Sequence, residues 1–131
     1  MISIKKEDIG IIIEHARAEY PLEACGILAG KKGNVEKVYK MTNKDSSAIT
    51  YIMDSREQYK VMKEMRERGF DLVGVYHSHT SSPAYPSMRD IDLASYPEAS
   101  YMIVSLASGE IDLKSFSIKD GKVEEEGIRI L

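Results

Sequence analysis

The sequence predicts an α+β fold: a mainly antiparallel, mixed β-sheet flanked by two main helices, with a short third helix near the middle. Three observations predict it. Lys5 to Glu19 and Asp54 to Arg68 carry apolar residues at helical spacing. At least six stretches of alternating or continuous apolar residues read as strands. Turn signals at Lys31-Lys32-Gly33-Asn34 and Lys119-Asp120-Gly121-Lys122 fold neighbouring strands into hairpins. With 131 residues the chain is expected to form one domain, 1–131.

Ile2 to Ile4 reads as a short strand. In the first helix Ile9, Ile13, Ala16 and Tyr20 share one face and are expected to meet a core. Glu7 and Asp8 favour the positive end of its dipole, and Pro21 stops it. His15 lies on this helix with no spaced partner and reads as an ordinary surface or flank histidine. Glu23 to Gly30 is a strand of small and apolar residues, and Val35 to Met41 is its hairpin partner. Thr42 to Ser47 is a polar loop, and Ala48 to Met53 reads as a third strand of this region.

Asp54 is an N-cap and Glu57 the matching capping-box acid of the second helix. Its stripe of Val61, Met62 and Met65 reads as core packing, and Gly69 ends it. Asp71 to His79 is a strand, Thr80 to Pro86 a loop with two prolines, and Ser87 to Ser95 a short helix. Ala99 to Leu106, Glu110 to Ile118 and Val123 to Ile130 are the closing strands.

Composition narrows the function classes. Eighteen Lys and Arg stand against 21 Asp and Glu, a net charge of −3, with no basic run to bind nucleic acid. Cys25 is the lone cysteine, so no internal disulfide forms and a reducing compartment is expected. The N-terminus lacks a signal-peptide pattern, and no run approaches the ~18 apolar residues of a membrane span. A cytoplasmic protein is expected.

The chemistry concentrates between Val75 and Asp90. On a strand, residues i and i+2 share a face, so His77 and His79 point the same way, beside Val73 and Val75. They stand roughly 6.6 Å apart along the strand, a span two imidazoles can close onto one ion. Imidazole suits zinc, which takes about four ligands in a tetrahedron. A loop folding back after His79 can add Asp90, leaving a fourth position for water, the mark of a catalytic site.

Asp90 has a second reading. Ser87-Met88-Arg89-Asp90 fits a capping box with Ser87 as N-cap, and the capping and ligand roles of Asp90 compete. Ser87 can start the helix with its backbone while its hydroxyl faces the metal. Attack on an amide also needs a base to take the proton of the attacking water. Spacing does not single out Glu23 among the acids; its one intrinsic mark is its place at the head of an otherwise uncharged strand.

His77-Ser78-His79, followed by Ser87 and Asp90, with Glu23 in Pro-Leu-Glu-Ala-Cys-Gly-Ile-Leu, resembles the JAMM (MPN-plus) metalloprotease motif. The resemblance extends over nearly the whole chain and implies the JAMM/MPN fold, which is cytidine-deaminase-like. It implies that His77, His79 and Asp90 bind one zinc ion. It implies that Glu23 is the general base and that Ser87 donates to the oxyanion on the scissile carbonyl. The family cleaves the bond after the Gly-Gly tail of ubiquitin-like proteins, so the implied partner is a ubiquitin-like or sulfur-carrier protein.

Only about ten residues separate Asp90 from Tyr101, so the insertion that ubiquitin-chain-cutting eukaryotic members carry there is not expected. The chain thus resembles the minimal prokaryotic branch. Thr80 departs from the proline many members place after the second histidine, which bears on loop stiffness and not on a ligand.

Other functions meet obstacles in the sequence. A non-catalytic MPN scaffold typically lacks one or more ligands, and here His77, His79 and Asp90 all stand beside Glu23 and Ser87. A zinc deaminase needs more cysteine ligands than Cys25 alone supplies. A Cys25 nucleophile leaves the spacing from His77 to Asp90 unexplained. Cys25, two residues after Glu23, reads as a small buried hydrophobe or as a redox switch beside the zinc.

Overall fold

A computed structural model describes all residues, Met1 to Leu131. The elements run β1 (Ile2–Ile4), α1 (Lys6–Glu19), β2 (Cys25–Lys31), β3 (Asn34–Met41), α2 (Ser55–Glu67), β4 (Asp71–His79), α3 (Met88–Leu93), β5 (Ser100–Ser105), β6 (Asp112–Lys119), β7 (Lys122–Glu126) and β8 (Ile128–Ile130). The strands form one sheet in the order β7-β6-β5-β4-β2-β3-β1-β8. The pairings β1–β3, β1–β8 and β4–β5 are parallel, and the other four are antiparallel. The expected α+β class with a mainly antiparallel, mixed sheet is what the chain adopts.

β4 lies at the centre because it is apolar on both faces. One face meets a core that holds Ile2, Ile4, Ile12, Ala16, Leu28 and Tyr76. The opposite face packs Cys25, Ile27, Ala29 and Met65 under α2, and Val75, Tyr101, Ile103 and Phe116 beside them. His77 and His79 emerge on this second face, at the C-terminal end of the strand.

Five details differ from the sequence reading. Val73 does not share the histidines' face. Pairing with β2 passes from Leu28↔Gly74 to Ala29↔Leu72, so Val73 is a bulge, and it joins the core on the α1 side. Tyr20 is 57 % exposed instead of core-facing, because the helix ends at Glu19 before its side chain comes round to the sheet. Ala48 to Met53 is not a strand; its one ladder contact is an isolated bridge from Met53 to Asn43.

Val123 to Ile130 divides at Gly127 into β7 and β8, which occupy opposite ends of the strand order. A single residue connects them, so the two sheet edges meet there and the sheet curls. The fifth difference is at Glu57. Asp54 caps α2, its Oδ1 accepting from Arg56 N and Glu57 N at 3.0 Å. The Glu57 carboxylate does not close the box but accepts from Thr42 N and Thr42 Oγ1, both at 2.7 Å.

Candidate metal centre

β4 delivers His77 and His79 side by side, and α3 delivers Asp90 from its first turn. The three ligand-type atoms converge. His77 Nε2 and His79 Nε2 are 3.0 Å apart, and Asp90 Oδ2 is 3.1 Å and 3.0 Å from them. Bonds of ~2.0–2.1 Å to a tetrahedral cation would place such atoms ~3.3 Å apart, close to this triangle.

The donor chemistry demands a positive charge inside the triangle. His79 Nδ1 lies 2.8 Å from the carbonyl of Pro83, which only accepts, so Nδ1 carries the hydrogen and neutral Nε2 presents a lone pair. Asp90 also presents a lone pair. Burial pushes its pKa up, but hydrogen bonds from His77 and His79 outweigh that and hold it well below the usual carboxylate range. Two lone pairs 3.0 Å apart need a proton or a metal ion between them. Without metal the proton serves: burial opposes charge on His79, yet the Asp90 hydrogen bond and carboxylate raise its pKa overall. His77 is lowered by burial, which the hydrogen bond and charge of Asp90 do not overcome. No other group of three or more His, Cys, Asp or Glu side chains in the chain has this arrangement.

The competition expected at Asp90 does not arise. Ser87 Oγ accepts from Asp90 N at 3.0 Å while Asp90 Oδ2 accepts from Ser87 N at 2.9 Å, so the capping box is complete. The same Oδ2 faces both histidines, and the cap aims the carboxylate instead of diverting it. The Ser87 hydroxyl, used as an acceptor by the cap, keeps its hydrogen free to donate.

Glu23 sits two residues before β2 rather than on it. Its backbone is pinned: Glu23 N donates to Ser47 O at 2.8 Å, and the next amide, Ala24 N, donates to Ser78 Oγ at 2.8 Å. Ser78, between the two histidines, thus ties the Glu23 segment to β4. The Glu23 side chain is buried, with Oε1 lacking any hydrogen-bond partner. Burial raises its pKa to about 7; the charge of His79 pulls it down and that of Asp90 pushes it up. That value belongs to the metal-free protein; a cation held by the adjacent histidines and aspartate would pull it down and favour the carboxylate that takes a proton.

Cys25 is fully buried, and burial, with Glu57, Glu19 and Glu23 nearby, pushes its thiol up to about 12. That suits the hydrophobe reading and disfavours the thiolate that a redox switch or nucleophile would need. His15 is no ligand but a hydrogen-bonded core-edge residue, Nδ1 2.7 Å from the Tyr76 hydroxyl. Three residues that shape the site were missed by sequence reasoning: Ser78, Tyr51 and Asn43. The Tyr51 ring stacks on His77 at 4.6 Å.

Fold and site together define a hydrolase-type centre with two histidines, one aspartate and a separate buried glutamate. The family model for prokaryotic homologs of the JAB domain matches residues 5–119, and the chain belongs to that family. It is a peptidase of the JAMM type. It is similar to a CysO-cysteine peptidase of Mycobacterium tuberculosis, 39% identical over 134 residues that span 100% of this chain and 92% of the relative. The solution structure of a Desulfitobacterium hafniense protein matches with a TM-score of 0.91 and 41% identity, spanning 100% of this chain and 93% of that one. A JAB1/MPN domain protein from Archaeoglobus fulgidus shares the fold, with a TM-score of 0.67 at 19% identity, spanning 99% of this chain and 97% of that one. No helix is long and apolar enough to cross a membrane.

Proposed function

We propose that His77, His79 and Asp90 hold one zinc ion. On this reading the protein hydrolyses the bond after a C-terminal Gly-Gly of a sulfur-carrier or ubiquitin-like protein. The observation that carries it is the convergence of three ligand-type atoms at 3.0–3.1 Å, with a buried Glu23 carboxyl, its Oε1 unpartnered, near enough to feel the charges of His79 and Asp90. When bound, zinc supplies the Lewis acidity that makes water a competent nucleophile at neutral pH.

The chain's own residues do the rest. Glu23 accepts a proton from the attacking water as its oxygen bonds to the scissile carbonyl carbon. Ser87 donates its hydroxyl hydrogen to the oxyanion that develops there, a contribution of about 3 kcal/mol where comparable donors have been removed. Glu23 then returns the proton to the leaving nitrogen as the carbon–nitrogen bond breaks. The products are a carrier ending in a Gly-Gly carboxylate and a free amine.

Full-length similarity to a CysO-cysteine peptidase supports a carrier bearing a single C-terminal amino acid as the substrate. The lone buried thiol fits a reducing compartment, so we place the enzyme in the cytoplasm.

The test uses carriers ending in Gly-Gly-Cys and carriers joined through Gly-Gly to a lysine side chain, with mass spectrometry of the products. Release of cysteine, lost on chelation and restored by zinc, is expected. Cleavage of the lysine-linked form alone would move the substrate class to protein conjugates. Turnover of neither, with zinc bound, would favour a non-catalytic scaffold.

A further inference from the structure

The two histidines are not anchored alike. His79 Nδ1 donates to the Pro83 carbonyl, which fixes its ring. His77 Nδ1 is buried and has no hydrogen-bond partner. A metal-ligating histidine almost always has its second nitrogen held, because that bond orients the ring. What contacts the His77 ring instead is Tyr51, stacked face to face at 4.6 Å with 28° between the planes. Tyr51 also forms a wall of an apolar cavity of about 190 Å³, lined by Ile27, Met62, Val75 and Tyr101 among others. Tyr51 lines this cavity while His77 does not, so the Tyr51 ring stands between the imidazole and the cavity.

Tyr51 comes from a segment whose backbone pairing is limited to the isolated Met53–Asn43 bridge and a bond from Lys44 N to Ile52 O at 2.7 Å, so a side chain must do most of the holding around Tyr51 itself. That is Asn43. Its Nδ2 donates to Glu23 O and to Thr50 O, both at 3.1 Å. Its Oδ1 accepts from Asp45 N and from Ile52 N, both at 3.1 Å. One buried amide thus uses all four of its hydrogen-bonding positions. Two of them grip the residues on either side of Tyr51, and a third grips the backbone of Glu23. Thr80 Oγ1 adds a further tie to the same segment, donating to Ala48 O at 2.9 Å.

We propose that Tyr51 is the positioning residue for His77, replacing the missing hydrogen bond by ring stacking, and that Asn43 locks Tyr51 and Glu23 into one frame. The inference rests on the metal-site reading above. It predicts that metal affinity, and not only turnover, depends on an aromatic ring at position 51. The hydroxyl is dispensable, because stacking uses the ring.

The test measures zinc affinity of the metal-free full chain by competition with a chromophoric chelator, together with the visible spectrum of the cobalt(II) form. Tyr51→Phe is expected within twofold of wild type, with an unchanged cobalt spectrum. Tyr51→Leu keeps apolar bulk but loses the flat face. Its zinc dissociation constant is expected to rise about tenfold to a hundredfold, the range seen when support of a ligand is removed. Asn43→Asp, which loses both Nδ2 donations, is expected to weaken zinc in the same direction. Combined with Tyr51→Leu it should add less than its separate effect, since both act through one ring.

Equal zinc affinity in Tyr51→Leu and wild type would overturn the inference while leaving the metal site intact. So would a Tyr51→Phe protein as weak as Tyr51→Leu. A wild-type chain that binds no zinc would overturn the site reading and this inference together.

Discussion

The two faces of β4 hold their buried polar groups differently. On the α1 face, the Tyr76 hydroxyl meets His15 Nδ1 at 2.7 Å inside a core of Ile2, Ile4, Ile12 and Leu28. That pair is closed: each atom has its partner and nothing further is called for. One residue on, at the opposite face, His77 and His79 crowd a carboxylate while His77 Nδ1 and Glu23 Oε1 are left without partners. Buried polar groups are normally satisfied, so unpartnered ones call for an explanation; Asp8 Oδ2 and Ser115 Oγ on the α1 side also lack partners, and what sets His77 and Glu23 apart is the group of converging ligand atoms beside them. Both faces contain a histidine and a tyrosine in contact, and the convergence of His77, His79 and Asp90 tells them apart.

The contrast breaks most visibly if a ligand is removed. His77→Ala should lose stoichiometric zinc and all measurable hydrolysis together, read by metal analysis and turnover; full zinc occupancy would mean the site is misplaced. Ser87→Ala comes next. It should lower kcat about 10²-fold or more through the oxyanion. It should also cost about 1 kcal/mol of stability through the lost α3 cap, seen in denaturant melts.

Glu23 gives a smaller, pH-dependent effect. Its folded pKa, about 7, exceeds the ordinary 4.5, so the metal-free folded state holds this proton more tightly than the unfolded chain. Stability of the metal-free protein is therefore lost as pH rises from about 4.5 through 7. Glu23→Gln, neutral throughout, should match wild type below pH 4.5. It should exceed wild type by on the order of 2 kcal/mol above pH 7, measured by unfolding at both pH values. The smallest effect belongs to the closed pair. Tyr76→Phe should cost about 1 kcal/mol and leave kcat/KM unchanged, the outcome that separates the structural face from the functional one.

Which parts of this were legible in the sequence follows from what each part depends on. His77 and His79 are two apart on a strand, and Asp90 is three residues past a capping serine; local periodicity and cap chemistry expose them. The same logic placed α1, α2 and the Lys31–Asn34 turn. Val73 escaped because a bulge shifts the period without leaving a mark in residue type. Ala48 to Met53 reads as a strand by composition, yet its backbone groups pair with the Asn43 side chain and single neighbours, not with a ladder. Tyr51 and Asn43 carry no spacing signal, since their partners lie in distant elements. Gly127 was a usable hint of the break between β7 and β8, as glycine inside a strand pattern often marks one. Glu23 was identified through resemblance; its burial and missing partner appear only once β2 and β4 are paired.

The central claim is that Glu23 moves the proton while His77, His79 and Asp90 hold the metal. The direct measurement compares wild type and Glu23→Gln on a carrier ending in Gly-Gly-Cys, with zinc content determined on the same samples. The account predicts equal zinc and a turnover reduced by about 10²–10⁴ in Glu23→Gln. Wild-type turnover by a fully zinc-loaded Glu23→Gln protein would contradict it.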